Sequence, residues 1–143
     1  MDSTLSYRCP VCVNDTDGNF SHSFRKMRVI DGIHIFYSCP AEATKYNDHE
    51  NILSHFRGML EEIGNEPWKW VFNSKGFELK HAMEVKTAIR LARLISEIKA
   101  DLQEVIIVNP TWHIHVTLKM ITPFLKKGIR ERIRMKAPNK KTK

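Results

Sequence analysis

The sequence predicts an α/β protein with a mixed, largely parallel sheet that is flanked by helices. A hairpin-like segment is followed by helical and strand-like segments in alternation, which is typical of this fold class. A run of four apolar residues, Val105–Val108, is typical of a central strand in a parallel sheet covered on both faces. The length of 143 residues and the 42% of hydrophobic residues suit one domain with an ordinary core.

The first two strands are predicted as a hairpin over residues 29–37. Asp31 and Gly32 form the turn, because this dipeptide favours tight hairpin turns and its flanking residues are apolar, β-branched or aromatic. Pro40 is expected to end the second strand, since proline has no N–H to donate to the ladder. The segment before the hairpin, residues 1–28, is predicted to be irregular.

Two helices and a third strand are predicted next. Residues 48–63 carry an apolar stripe at helical spacing, with Asp48 as the expected N-cap. Residues 68–72 alternate aromatic residues with Lys and Val, which predicts a strand. Residues 81–102 are predicted as the longest helix, because their apolar residues line one face and their charged residues lie largely outside it.

The C-terminal part is predicted as strand, helix and strand. Val105–Val108 is followed by a helix over residues 114–126, in which Pro123 is expected to cause a kink or to start a new turn. Residues 129–135 are predicted to form a closing edge strand. The lysine-rich residues 137–143 are expected to be a disordered tail.

The net charge of +7 is concentrated at the C-terminus. From Lys126 onward the chain has nine basic residues and one acidic residue, a net charge of +8, so the rest is nearly neutral. One interpretation is contact with the headgroups of an anionic membrane, at about 1 kcal/mol per basic residue near the surface. A solvated tail is the alternative. Nucleic acid is not expected as a partner, because this basic arm, residues 126–143, lacks aromatic residues for base stacking. The candidate headgroup contacts are Lys126, Lys127, Arg130, Arg132 and Arg134.

Three cysteines allow one metal-site hypothesis. Cys9 and Cys12 have the Cys-x-x-Cys spacing that places two thiolates on one zinc ion. His22 and Cys39 would complete four ligands, and such a site would pin residues 1–28 to the end of a strand. Three unrelated reduced cysteines are the alternative. A redox pair is disfavoured, because no amphipathic helix follows Cys12.

No motif in the sequence indicates catalysis. The chain has no nucleophile elbow, P-loop, glycine-rich dinucleotide turn or metalloprotease motif, and no residues that combine nucleophile, base and oxyanion site. We therefore predict a non-enzymatic binding module. The odd cysteine count, the absence of a secretion signal and the absence of a long apolar run predict a cytoplasmic location, with peripheral membrane contact through the basic arm.

The C-terminal half resembles a CRAL-TRIO domain. The similarity lies in the strand and turn Val-Ile-Ile-Val-Asn-Pro-Thr-Trp at 105–112, the Thr-Pro-Phe-Leu at 122–125 and the basic stretch at 129–135. Weaker similarity extends over residues 29–136. The chain is most similar to the short BCH-type subgroup, which also has Ser-Cys-Pro after its first strand, as at 38–40 here.

The resemblance implies a cleft beside the sheet that holds a phospholipid or another hydrophobic ligand. In the BCH-type subgroup it implies a scaffold that contacts small GTPases or their regulators without a lipid ligand. The chain stops soon after the basic stretch, so we expect a domain truncated at its C-terminus, with a short or missing gate helix. Ordinary core packing is the alternative role for each candidate cleft residue, namely Phe36, Phe72, Trp112, Met120 and Phe124.

Overall fold

One five-stranded sheet organises the protein. The computed structural model describes residues 23–43 and 49–136. The strands lie in the order β1-β2-β3-β4-β5, with β1 antiparallel to β2 and the other three pairs parallel. The predicted fold class, a mixed and largely parallel sheet flanked by helices, is confirmed. The strands are β1 Arg25–Ile30, β2 Ile33–Ser38, β3 Pro67–Asn73, β4 Asp101–Val108 and β5 Ile133–Lys136.

The helices connect successive parallel strands. The strand order advances in one direction, and crossovers between parallel strands are right-handed, so these connections fall on the same face of the sheet. Two short 3-10 helices span Pro40–Glu42 and Thr122–Phe124. The α-helices are α1 His49–Glu62, α2 Leu79–Ala82, α3 Val85–Glu97, α4 Trp112–Ile121 and α5 Lys127–Arg130.

The hairpin prediction is confirmed. Asp31 and Gly32 have φ values of 53° and 79°, the left-handed conformations that a tight two-residue turn requires. β1 begins at Arg25, four residues before the predicted start at 29, and β2 ends at Ser38, ahead of Pro40.

The predicted longest helix over 81–102 was wrong in its bounds and its length. The segment is divided into α2 and α3, separated by two residues, and α3 has 13 residues against 14 in α1. α3 ends at Glu97, and Ile98 already has an extended backbone with ψ 154°. β4 begins at Asp101, so Leu102 lies on the sheet, where it is 3% exposed. Ile98 and Leu102 fit a helical stripe, but with Ala100 they also alternate with polar residues as in a strand.

The predicted helix over 114–126 also has different bounds. α4 starts at Trp112, because the Thr111 hydroxyl accepts a hydrogen bond of 3.3 Å from the Ile114 N–H and caps the helix. Pro123 lies in a new 3-10 turn that follows α4, which is the second of the two expected effects. The predicted edge strand over 129–135 is present as β5, shifted to Ile133–Lys136.

The core lies between the helices and one face of the sheet. Phe24 is fully buried just before β1, and its ring stacks on Phe36 and Phe56 with centroid distances of 4.9 and 3.9 Å. Trp68, also fully buried, meets the Phe24 and Phe36 rings edge-on. These aromatic contacts fasten β1, β2, β3 and α1 together.

The opposite face of the sheet differs from the prediction for β4. Val105 and Ile107 are 6% and 2% exposed beneath the helices, as expected for a central strand. Ile106 and Val108 point to the other face and are half-buried. In the described ranges, therefore, helices cover β4 on one face, and the predicted burial on both faces is not observed.

Candidate functional site: an apolar cavity

A cavity of about 160 Å³ separates the sheet from the helices. Its floor comes from β3 and β4, where strand alternation turns Trp70, Phe72, Val105 and Ile107 toward the same face. The lining as a whole is almost entirely apolar. The floor is therefore continuous with the hydrophobic core.

Helix α3 forms a wall with two small residues. Ala88 and Ala92 are four positions apart, so their side chains lie one above the other on the same face of α3. Larger neighbours, Leu91 and Ile95, flank them along the lining. The short methyl side chains leave unfilled the space that a longer side chain would occupy.

Helix α4 supplies a second wall. Ile114, Thr117, Leu118 and Ile121 recur at spacings of three and four, which places them on the helix face that points inward. Thr117 is 7% exposed, and its Oγ1 has no hydrogen-bond partner among the described residues. An orphaned hydroxyl thus lies in an apolar wall.

Two serines at the β2 end of the cavity are engaged by the protein itself. The indole N–H of Trp70 donates a hydrogen bond of 2.9 Å to Ser38 Oγ. The backbone N–H of Cys39 donates one of 2.6 Å to Ser23 Oγ. These bonds fix the lining here, and both hydroxyls already have partners.

His81 borders the cavity as a neutral side chain. It is 8% exposed, and its Nδ1 accepts a hydrogen bond of 3.0 Å from the backbone N–H of Glu78. Burial lowers the pKa of His81, and the positive charge of Lys80 lowers it further. An Nδ1 atom that accepts a hydrogen bond carries no proton, so this bond also requires the neutral imidazole of His81.

Glu84 is the carboxylate of the rim. Its side chain is 27% exposed, and its Oε1 lies 3.4 Å from Nε2 of His49. His49 Nδ1 also forms a hydrogen bond with Oγ1 of Thr87, which lines the cavity from α3. Within residues 23–43 and 49–136, no lysine or arginine lines the cavity.

The structure places one of the five predicted cleft residues in the lining. Phe72 contributes to the floor. Phe36 lies on the same sheet face but is packed under Phe24, 1% exposed, and belongs to the aromatic core. Its burial leaves no surface for a ligand.

The other three predicted cleft residues lie outside the lining. Trp112 and Met120 occur on the face of α4 that points away from the sheet and are 72% and 44% exposed. Phe124 packs beneath the guanidinium of Arg93, at 4.9 Å from the ring centroid. The inward face of α4 is instead the one that carries Ile114 and Thr117.

The five predicted contacts with membrane headgroups lie on the surface near β5. Arg134 Nε lies 3.0 Å from Glu104 Oε2, and Arg132 Nη1 donates to the Leu102 carbonyl at 2.6 Å, so both contact the protein. The remaining three, Lys126, Lys127 and Arg130, are exposed at α5. This last group is the more available to an anionic surface.

Three of the four predicted zinc ligands, Cys9, Cys12 and His22, lie outside the described residues. Cys39 is described and is 2% exposed; its Sγ lies 3.8 Å from the Lys75 carbonyl oxygen. Burial raises the pKa of the Cys39 thiol. No cluster of three metal-ligating side chains occurs in the part of the chain that the structure describes.

Sequence reasoning did not identify Ala88, Ala92 or Thr117 as site residues. The signal was present as small or polar residues inside otherwise apolar helical stripes. On α3 the two alanines interrupt a row of Leu and Ile. On α4 the threonine lies between Ile114 and Ile121.

Together, these features define an α/β domain with an apolar ligand-sized cavity between its sheet and its helices. The model of the CRAL/TRIO domain family matches residues 33–143, and the chain belongs to this family. CRAL-TRIO domains are generally lipid-binding, non-catalytic modules. The search of curated proteins finds no match. None of the described helices is both long and apolar enough to cross a membrane.

Proposed function

We propose that this protein is a non-enzymatic binding module that holds a hydrophobic ligand in the cavity. The observation that carries the proposal is the void of about 160 Å³, which is walled by core residues of β3, β4, α1, α3 and α4. Apolar surface removed from water contributes roughly 25 cal/mol per Å² to binding. A ligand that fills this space needs few polar contacts to be held.

An apolar pocket of this kind holds water poorly, because a bound water molecule needs two to four polar partners and the lining offers few. A hydrophobic molecule in the pocket would remove the apolar lining from water, which favours a bound ligand over an unoccupied pocket.

Native mass spectrometry of the purified chain tests the proposal, followed by organic extraction and mass analysis of the extract. We expect a co-purified hydrophobic molecule in a fraction of the protein. Protein that carries no molecule, and whose unfolding midpoint no hydrophobic additive raises, would contradict the proposal.

A scaffold of the BCH type is the second candidate function. It is favoured by exposed apolar side chains on α2 and α4, which pack against each other. Leu79, Met83 and Trp112 are 60%, 68% and 72% exposed, and such residues mark protein contacts. Ligand-free protein that binds a small GTPase or its regulator, with affinity reduced in Trp112→Ala, would support this alternative.

The basic arm is proposed to contact an anionic membrane. Lys126, Lys127 and Arg130 are exposed, and the sequence beyond residue 136 carries three further lysines at 140, 141 and 143. Binding to phosphatidylserine-containing vesicles should weaken as salt rises, since the Debye length is about 8 Å at 0.15 M. Equal binding to neutral phosphatidylcholine vesicles would contradict the proposal.

The zinc site made by Cys9, Cys12, His22 and Cys39 also stays a proposal, supported by the Cys-x-x-Cys spacing. Elemental analysis should find one zinc ion per chain. A metal content far below one per chain would contradict it.

A further inference from the structure

We infer that Thr117 is the polar anchor of the cavity, and that the ligand is a compact, uncharged, largely hydrocarbon molecule with one hydroxyl or carbonyl group. This inference rests on the proposed function, because it names the class of ligand that the same cavity would hold.

The size of the cavity indicates a compact ligand. Its volume of about 160 Å³ is close to the ~150 Å³ of an apolar protein cavity that takes up a benzene molecule. A diacyl phospholipid carries two long chains and a headgroup. A space of this size would hold only a small part of such a molecule.

The charge of the lining indicates an uncharged ligand. Phosphate and carboxylate groups are typically bound by arginine or lysine, and in the described residues neither type lines the cavity. Glu84, on the rim, would repel an anion and is already within 3.4 Å of His49. In the apolar interior, a cation would lose its hydration without compensation.

The environment of Thr117 indicates one hydrogen-bonding group on the ligand. A helical threonine can satisfy its hydroxyl at the carbonyl one turn back, as Thr122 does to Leu118 at 2.5 Å. Thr117 Oγ1 has no such partner although it is buried, and an unsatisfied buried hydroxyl is costly. Threonine has two common χ1 rotamers in helices, and rotation to the other one moves the hydroxyl to a second staggered position, from which it can reach a ligand in the cavity.

Calorimetry with two isosteric probes, benzyl alcohol and ethylbenzene, tests the inference. The two probes have the same shape, and benzyl alcohol replaces a methyl group with a hydroxyl group. We expect Thr117→Val to raise the ratio of the Kd for benzyl alcohol to the Kd for ethylbenzene by roughly 3- to 10-fold, the value of one neutral hydrogen bond. The two probes differ in hydration, but this difference is the same for the variant and the wild type, so it cancels when their Kd ratios are compared.

Thr122→Val is the matched control, because Thr122 lies outside the lining. Its ratio should equal that of the wild type. Thr117→Val should fold with an unfolding midpoint no lower than that of the wild type, since it removes an unpaired hydroxyl.

The outcomes separate the inference from the proposed function. Ethylbenzene binding with an unchanged ratio in Thr117→Val would overturn the anchor and leave the proposed function intact. Wild-type protein that retains one phosphatidylcholine molecule after incubation with vesicles of that lipid would overturn the compact ligand. Failure of both small probes and of phosphatidylcholine to bind would overturn the proposed function itself.

Discussion

The indole N–H of Trp70 reaches across two parallel strands and donates a hydrogen bond of 2.9 Å to the Ser38 hydroxyl. Both residues line the cavity, and they are 7% and 3% exposed. The bond fixes the ring that forms part of the floor. Because the indole and hydroxyl are buried, neither can readily exchange its partner for water.

Ser38→Ala should therefore destabilise the protein by about 1–3 kcal/mol, because it leaves the Trp70 N–H unsatisfied in the interior. Urea unfolding followed by circular dichroism measures this loss. Ser54→Ala, at an exposed position on α1, is the control and should change stability little. An equal midpoint for Ser38→Ala and the wild type would show that this bond does not hold the floor.

Phe36 and Trp112, both predicted from the sequence to line the cleft, should behave differently on truncation. Phe36→Ala should cost about 3–5 kcal/mol, because the ring is buried in the aromatic core. Trp112→Ala should change the free energy of unfolding by no more than about 0.5 kcal/mol, because the side chain is 72% exposed. Denaturant unfolding of the two variants measures both values, and similar losses would contradict the placement of these rings.

Stability should fall as the pH drops through the titration range of His81. The folded protein lowers the pKa of His81 below its ordinary value of 6.5, so the unfolded chain binds the extra proton more readily. The contribution of neutral His81 to the free energy of unfolding is fully present above pH 6.5 and is lost as the pH falls toward the pKa of His81 in the folded protein. Protonation of Nδ1 would also break its hydrogen bond with the Glu78 N–H.

His81→Asn keeps a hydrogen-bond acceptor near this position and removes the titration. Thermal unfolding between pH 5 and pH 7.5 should show a shallower decline in acid for this variant than for the wild type. His113→Asn, on α4, is the control and should follow the wild type. Identical pH profiles for all three proteins would contradict the role of His81.

The fold was more predictable than the site, and the reasons are local. The turn at Asp31 and Gly32 was predictable because two consecutive left-handed residues require this chemistry. The end of α3 was not, because Ile98 and Leu102 satisfy both a helical and a strand periodicity. At such positions the choice depends on tertiary pairing, here of β4 with β3.

The cavity could not be located from sequence because a void is defined by what is missing between distant elements. Ala92 leaves space only because Trp70 and Thr117, from other elements, surround the same volume. The cleft residues predicted from the sequence were mostly large aromatic residues. Trp112 shows the difficulty, since it lies on α4, which forms a wall of the cavity, but on the outer face of that helix.

Filling the cavity from α3 would show whether the hydrophobic ligand is held there. Ala92→Leu projects a longer apolar side chain into the void, and Lys86→Leu, at an exposed position on the same helix, is the control. Native mass spectrometry of the two variants and the wild type, paired with urea midpoints, gives both occupancy and stability. We expect Ala92→Leu to lose the hydrophobic ligand while its midpoint is equal to or above that of the ligand-free wild type, and we expect Lys86→Leu to keep the ligand. Folded Ala92→Leu protein that retains as much ligand as the wild type would contradict the claim that this cavity is the binding site.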